Sequence, residues 1–317
     1  MRTPRFWQSC NAASIALLPA SLAYRLGAWA DRRFTTPARA AVPVISIGNA
    51  TIGGTGKTPA AIALVPLLRD LGHTSHILTR GYKGEALTAH RVSETDTWQQ
   101  VGDEALLLAK VAPTWVGRDR LASAKAAAAA GATILLCDDA LQHHALHKDL
   151  SLLVIDGAYG IGNGQLLPAG PLREPLRSAA ARSDVVVLIG ADAHHLMPKI
   201  HLPILHAEIR FVGDASFLHA TKWLAFAGIG RPEKFFTTLS ELGAEIVATR
   251  AFADHHAYTA SDIASLRNQA AALGATLITT TKDHVKLPAA AVGDITPLPV
   301  ELIWQDMAPL RLLLGKL

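Results

Sequence analysis

The stretch IGNATIGGTGKT, residues 47 to 58, limits what this chain can fold into more than any other, because closely spaced glycines ahead of Lys57 and Thr58 are what a backbone needs to wrap a polyphosphate. An apolar run, VPVISI, feeds the glycines, and an apolar helical pattern, IALVPLL, follows them. The order is strand, loop, helix, the context a P-loop requires. Gly53, Gly54 and Gly56 can take positive φ, which lets successive N–H groups point into one concavity where an anion sits at the helix N-terminus, with Thr55 among them. Lys57 would then reach the β- and γ-phosphates of ATP, and the Thr58 hydroxyl would face Mg²⁺. The usual spacing wants glycine where Thr51 stands, and Gly48 lies three residues too early, so the match is to a variant loop. A glycine-rich turn that binds nothing is the alternative these residues alone leave open.

At 317 residues with 50% hydrophobic side chains, the chain exceeds one typical domain and can bury a large core. Two α/β domains are the natural expectation. The formal charge of +4 is modest, and no Lys/Arg cluster is interleaved with aromatics. Nucleic acid is therefore not the expected partner; an anionic ligand or an anionic membrane surface accounts for the basicity. Cys10 and Cys137 lie far apart, which suits a reduced compartment and no disulfide framework.

Between Arg5 and Arg25 no charged residue occurs, but Gln8, Ser9, Asn11, Ser14, Pro19 and Ser21 dilute the run. A spanning helix is disfavoured on that ground. A cleaved signal peptide would carry a nucleotide site out of the compartment that holds ATP, and the amphipathic pattern continues through Leu26, Trp29 and Arg32-Arg33. The favoured reading of residues 1–33 is an interfacial helix with Phe6, Trp7, Tyr24 and Trp29 at the headgroup level. A terminal helix packed on the protein's own core is the competing one.

Along the chain, HTSHILT leads as a strand to Arg80-Gly81-Tyr82, DEALLLAKV and LASAKAAAAA read as helices, and TILLC is an uninterrupted apolar strand ending at Asp138-Asp139. LSLLVID and DVVVLIG are further strands on either side of a long loop, GAYGIGNGQLLPAGPLREP, of the kind that carries function. The expected organisation is a P-loop core over 34–200, linker strands over 201–221, and a second, smaller α/β domain over 222–317. Gly228-Ile229-Gly230 in that domain lacks a third glycine and reads as a plain strand-to-helix turn.

Asp138 and Asp139 end a buried strand, where a carboxylate can hold Mg²⁺, although paired acids also cap helices. Arg80, Arg118, Arg120 and Arg173 are loop cations that could neutralise phosphate charge. A kinase also needs a base for its acceptor, and Asp103 in VGDEA and His255 in FADHHAY qualify by residue type. Asp103 as a helix N-cap and His255 as a locally bonded histidine are the alternatives.

Taken together, GNATIGGTGKTP, TRGY, VGDEA, DDALQHH, GNGQLLPAGPLREP, FAGIGRPEKFF, FADHHAY and TTTKD resemble, in order, the tetraacyldisaccharide 4′-kinases, also called lipid A 4′-kinases. The resemblance covers nearly the whole chain. It implies an α/β fold with a P-loop NTPase-like, mostly parallel sheet, a smaller α/β domain and an N-terminal amphipathic helix. It implies transfer of the ATP γ-phosphate to the 4′-hydroxyl of a tetraacylated glucosamine disaccharide 1-phosphate, a lipid A precursor, at the cytoplasmic face of the bacterial inner membrane. By the same likeness Lys57 and Thr58 hold phosphate and Mg²⁺, Asp138 and Asp139 complete the metal site, and Glu174 adds to it. Asp103 is the general base oriented by His255, while Arg80, Tyr82, Arg120, Arg173 and Gln142 line the substrate and phosphate region. Ala140-Leu141 and Thr281 depart from the family pattern, which has Gly-Phe and Glu there. A membrane-anchored ATPase switch without an acceptor shares the P-loop and the acids, but has no need of LPAGPLREP or an Asp–His pair.

Overall fold

The computed structural model describes residues 4–82, 84–85 and 88–317, so residues 1–3 of the expected interfacial segment lie outside it. The strands are β1 (Val44–Gly48), β2 (Ser75–Thr79), β3 (His90–Arg91), β4 (Thr114–Val116), β5 (Ile134–Asp138), β6 (Leu150–Asp156) and β7 (Val185–Ile189). Then follow β8 (Ile204–Phe211), β9 (Lys222–Ala227), β10 (Glu245–Ala251), β11 (Ala275–Thr280), β12 (Ile295–Leu298) and β13 (Val300–Trp304). They form a nine-stranded sheet in the order β13-β8-β7-β6-β1-β5-β2-β4-β3 and a four-stranded sheet in the order β10-β9-β11-β12.

From β8 across to β4 the large sheet is parallel, and β3 runs antiparallel to its neighbour β4. Parallel strands need helical crossovers that cover both faces, which is why β1, β2, β5, β6 and β7 are buried along their whole length. Ile45, Ile47, Ile134 and Leu136 point into one core with the helix Lys57–Asp70. Val44, Leu135 and Cys137 point into the opposite core with the helix Arg120–Ala129. Each large aliphatic side chain among them contributes about 1.5–3 kcal/mol relative to exposure.

Backbone contacts divide the chain into two units, one running up to Ile209 and resumed by Leu302–Leu317, the other spanning Arg210–Glu301. The expected linker strand pair over 201–221 is instead one strand, β8, followed by the short 3-10 turn Ser216–His219. The expected end of the second domain at residue 317 is also corrected. Leu302, Leu310 and Leu314, on β13 and the helix Ala308–Leu314, are buried in the same core as Ile45 and Leu64, so the C-terminal residues finish the first unit.

The smaller unit is a parallel sheet packed on both faces, with Leu224 and Phe226 toward one core and Trp223 and Ala225 toward the other. Lys286 and Asp283 are buried there as an ion pair 2.8 Å apart. Asp283 also accepts the Gly228 N–H at 3.0 Å, which pins the turn after β9. Burying a charge pair is tolerated when further hydrogen bonds satisfy its polar atoms, and the Thr280 hydroxyl supplies one such bond at 2.7 Å.

At the N-terminus a short helix, Ala12–Ala16, leads into the helix Leu18–Phe34, of which only Ser21 is buried. Leu22, Leu26, Trp29 and Phe34 are exposed. Phe6 and Trp7 depart from the headgroup placement: both are half-buried, and the Trp7 Nε1–H donates to Pro168 O at 3.0 Å. Among the described residues no helix is long and apolar enough to cross a membrane.

Candidate active site

Because β1, β5, β2 and β4 are parallel, their carboxyl ends lie along one sheet edge, the place where open α/β sheets bind ligands. β1 pairs directly with β5, and Ile47 lies opposite Asp138. The glycine loop and the Asp138-Asp139 pair are therefore neighbours by register.

The loop between β1 and the helix Lys57–Asp70 has the expected form with one difference. Gly53 and Gly56 adopt φ of 113° and 90°, but Gly54 does not take positive φ, because two left-handed positions suffice to turn the chain. A Cβ at Gly53 or Gly54 would meet no protein atom within 4 Å, so the cradle has room for an anion. At Gly56 a Cβ would collide with the Ile189 side chain. Gly48 serves packing under the loop, since a Cβ there would strike Leu141. Asn49, buried, donates from Nδ2 to Thr55 Oγ1 at 2.9 Å and so braces the loop from beneath. Nothing in the spacing of the motif signals that role.

The helix begins at Lys57, and its first turn carries no acidic residue, leaving its positive end uncompensated. The Thr58 hydroxyl donates to Asp138 Oδ2 at 3.1 Å, while Asp138 Oδ1 is buried with no hydrogen-bond partner. A threonine hydroxyl beside an orphaned buried carboxylate oxygen is a donor set that suits Mg²⁺. No three His, Cys, Asp or Glu side chains converge on a cation site among the described residues, and Mg²⁺ is ordinarily held by one or two carboxylates and the substrate's phosphates.

Burial and the nearby Glu104 raise the Asp138 carboxyl to about 7. Asp139 is opposite in behaviour. Burial works against its ionisation, but Lys57, Arg173 and Arg120 outweigh that and hold it at about 2. Arg173 Nη1 donates to both oxygens of Asp139 at 2.8 and 3.0 Å, and Lys57 Nζ lies 3.7 Å away. Asp139 sits at φ 49°, an uncommon conformation for a residue with a side chain. Arg120 donates to the Asp139 carbonyl at 3.2 Å, and its Nη1 is buried without a partner.

Glu174 is engaged differently from the expected metal ligand. Both of its oxygens accept from Arg182 Nη2 at 2.6 Å, and Gln142 Nε2 donates to Oε1 at 2.9 Å. Gln142 also donates to Asn49 O at 2.8 Å and accepts from Arg173 at 3.4 Å. With its charge met by Arg182, Glu174 orients Gln142 against the loop. Arg182 is not legible as a site residue because it lies beyond the recognisable loop, across the short helix Leu176–Ala180.

Arg80 and Tyr82 follow β2 on the same sheet edge and are exposed. Asp103 is buried at the start of the helix Asp103–Ala109, after Gly102 at φ 89°. Its Oδ1 accepts the Glu104 N–H at 3.0 Å. In the smaller unit His255 has φ 54°, with its Nε2 3.4 Å from Lys282 Nζ and 3.9 Å from Asp254. The adjacent His256 bonds Asp262 at 3.1 Å and packs at a tilt against Phe252, with ring centroids 4.7 Å apart, so its ring serves local structure.

A parallel sheet with its glycine loop, Lys57-Thr58 and an adjacent strand ending in Asp138 define a P-loop nucleotide-binding protein. The model of the LpxK family, tetraacyldisaccharide-1-P 4′-kinase, matches residues 13–317. The chain belongs to that family. It is 47% identical to the tetraacyldisaccharide 4′-kinase of Methylobacterium nodulans, covering 100% of this chain and 96% of that one. It is 45% identical to that of Rhodospirillum centenum, covering 100% and 97%. A crystal structure of the "apo" form of LpxK from Aquifex aeolicus in complex with ATP superposes with a TM-score of 0.76 at 27% identity, covering 96% of this chain and 98% of that one.

Proposed function

We propose that the carboxyl edge of the large sheet is the ATP site of a lipid kinase whose activity is that of its family: transfer of the γ-phosphate to the 4′-hydroxyl of a tetraacylated glucosamine disaccharide 1-phosphate. The single observation that carries the reading is the juxtaposition of Thr58 with the half-orphaned Asp138 beneath an open glycine cradle. Gly53, Gly54, Thr55 and Gly56 present main-chain amides to the β- and γ-phosphates, and Lys57 places a cation against them. Thr58 and Asp138 would hold Mg²⁺, which would supply neutralisation of phosphate charge. Asp139, held well below the usual carboxylate range by the cations around it, pairs with Arg173 and lies 3.7 Å from Lys57.

Phosphoryl transfer asks the protein mainly to neutralise charge and to position the acceptor. Arg173 and Arg120 supply the first, with Arg120 Nη1 free to donate. Asp103, buried at the start of its helix, is assigned the acceptor proton. Arg80 and Tyr82 are assigned to the substrate.

The acceptor carries acyl chains, and the exposed apolar row Leu22, Leu26 and Trp29 with Arg25, Arg32 and Arg33 supports docking on an anionic membrane surface, at the cytoplasmic face of the inner membrane. The test is to incubate the purified chain with radiolabelled ATP, Mg²⁺ and the disaccharide monophosphate in detergent. A labelled lipid product is expected; ATP hydrolysis with no labelled lipid would instead identify a switch ATPase.

A further inference from the structure

The N-terminal segment does more than present apolar side chains. Ser21, the one buried residue of the helix Leu18–Phe34, donates from Oγ to Leu166 O at 2.9 Å and accepts the Ala169 N–H at 3.2 Å. Asn163 donates from Nδ2 to Phe6 O and to Ala169 O, both at 2.9 Å, and its backbone N–H donates to Trp7 O at 2.7 Å. Trp7 closes the seam through its bond to Pro168 O. The fit is tight, since a Cβ at Gly162 would strike Trp7 O and one at Gly170 would strike Asn163 Oδ1.

The other side of the same loop is fastened to the phosphate cradle. Leu167 N–H donates to Leu172 O at 2.9 Å, Ile52 N–H to Pro171 O at 2.8 Å, and Arg173 N–H to Ala50 O at 2.8 Å. Leu172 bridges Thr51 in antiparallel register. The next residue is Arg173, whose guanidinium grips Asp139. A continuous run of hydrogen bonds therefore connects Ser21 and Trp7 to the arginine that faces the phosphate site, and every bond in it lies within the first unit.

We propose that Ser21, Trp7 and Asn163 are positioning residues for Arg173: they set the loop 163–173 at the height that places the guanidinium beside the phosphate cradle. The proposal rests on the reading of Arg173 as a cation for the transferred phosphate. Small misplacements of a charge-stabilising group reduce turnover far more than they reduce folding stability.

A double-mutant cycle in the full chain tests it, with kcat and the ATP KM measured on the detergent-solubilised lipid acceptor. Ser21→Ala and Trp7→Phe, which remove one side chain's hydrogen bonds while keeping most of the packing, should each lower kcat about fivefold with the ATP KM within about twofold of the parent. In an Arg173→Ala background the same substitutions should lower kcat less than about twofold, because the group they aim is gone. Ser21→Thr, which keeps the hydroxyl, should recover most of the loss. Equal factors in both backgrounds, or no loss from either substitution, would overturn the positioning role. If Arg173→Ala itself turned over like the parent, the phosphate reading of Arg173 would fail first and the proposal with it.

Discussion

Asp138 and Asp139 are consecutive, yet their surroundings drive their carboxyls in opposite directions, to about 7 and about 2. The consequence for stability has a definite sign. Asp138 in the folded chain keeps its proton above the value of an exposed aspartate, so its contribution to stability without metal is greatest below about 4 and declines as pH rises toward 7, above which the folded carboxyl is ionised as well and the decline stops. Asp138→Asn should therefore unfold at a higher temperature than the parent at pH 8 in chelator, with the gain absent at pH 4; thermal melts at both pH values check this. Mg²⁺-dependent nucleotide binding should weaken below pH 7, since the cation competes with that proton. Asp103 acts on the acceptor and not on the nucleotide. Asp103→Ala is expected to reduce turnover by at least about 10²-fold while equilibrium ATP binding stays within about twofold; unchanged turnover would remove Asp103 from the mechanism.

The glycine loop depends on two left-handed residues, and Gly56 is the less replaceable because a side chain there also meets Ile189. Gly56→Ala should destabilise the chain by about 1–3 kcal/mol and weaken nucleotide binding, measurable by denaturant unfolding and by titration. β1, β5, β6 and β7 are legible in the sequence because a parallel strand covered on both faces reads as a continuous apolar run. β3 and β4, of two and three residues, carry too little pattern to be seen, and β13 buries only Leu302 of its five residues. Lys57, Thr58 and Asp138 are recognisable because their chemistry is written in side chains at fixed spacing. Asn49, Arg182 and Asn163 are not, because Asn49 bonds a hydroxyl within its own loop, Asn163 bonds backbone carbonyls, and Arg182 bonds a carboxylate on the far side of a short helix. The N-terminal helix is legible as amphipathic, but its stitching to the loop is hidden for the same reason. Its outer row can be tested separately: Leu26→Glu with Trp29→Glu should lower recovery on anionic vesicles at least about tenfold, without altering thermal stability, since both side chains are exposed.

Among the described residues the chain passes between its two units twice, at residues 209–210 and 301–302. The smaller unit is thus an insertion in the sequence of the larger one, a topology invisible to pattern reading because the returning strand is short and the final helix looks like any domain's last element. Leu310→Ala should cost about 2–5 kcal/mol, because the side chain is fully buried in the core that also holds the helix after the phosphate loop. The loss should appear in the melting of the nucleotide-binding unit and be partly reversed by ATP, since a ligand stabilises whatever unit binds it.

This return also governs the order in which the protein can mature on the ribosome. Leu302, Leu310 and Leu314 are translated after the whole smaller unit, so the floor beneath the phosphate loop remains incomplete through most of synthesis. A nascent chain stalled before residue 302 would carry every residue assigned to the reaction and still lack the packing that holds the cradle rigid.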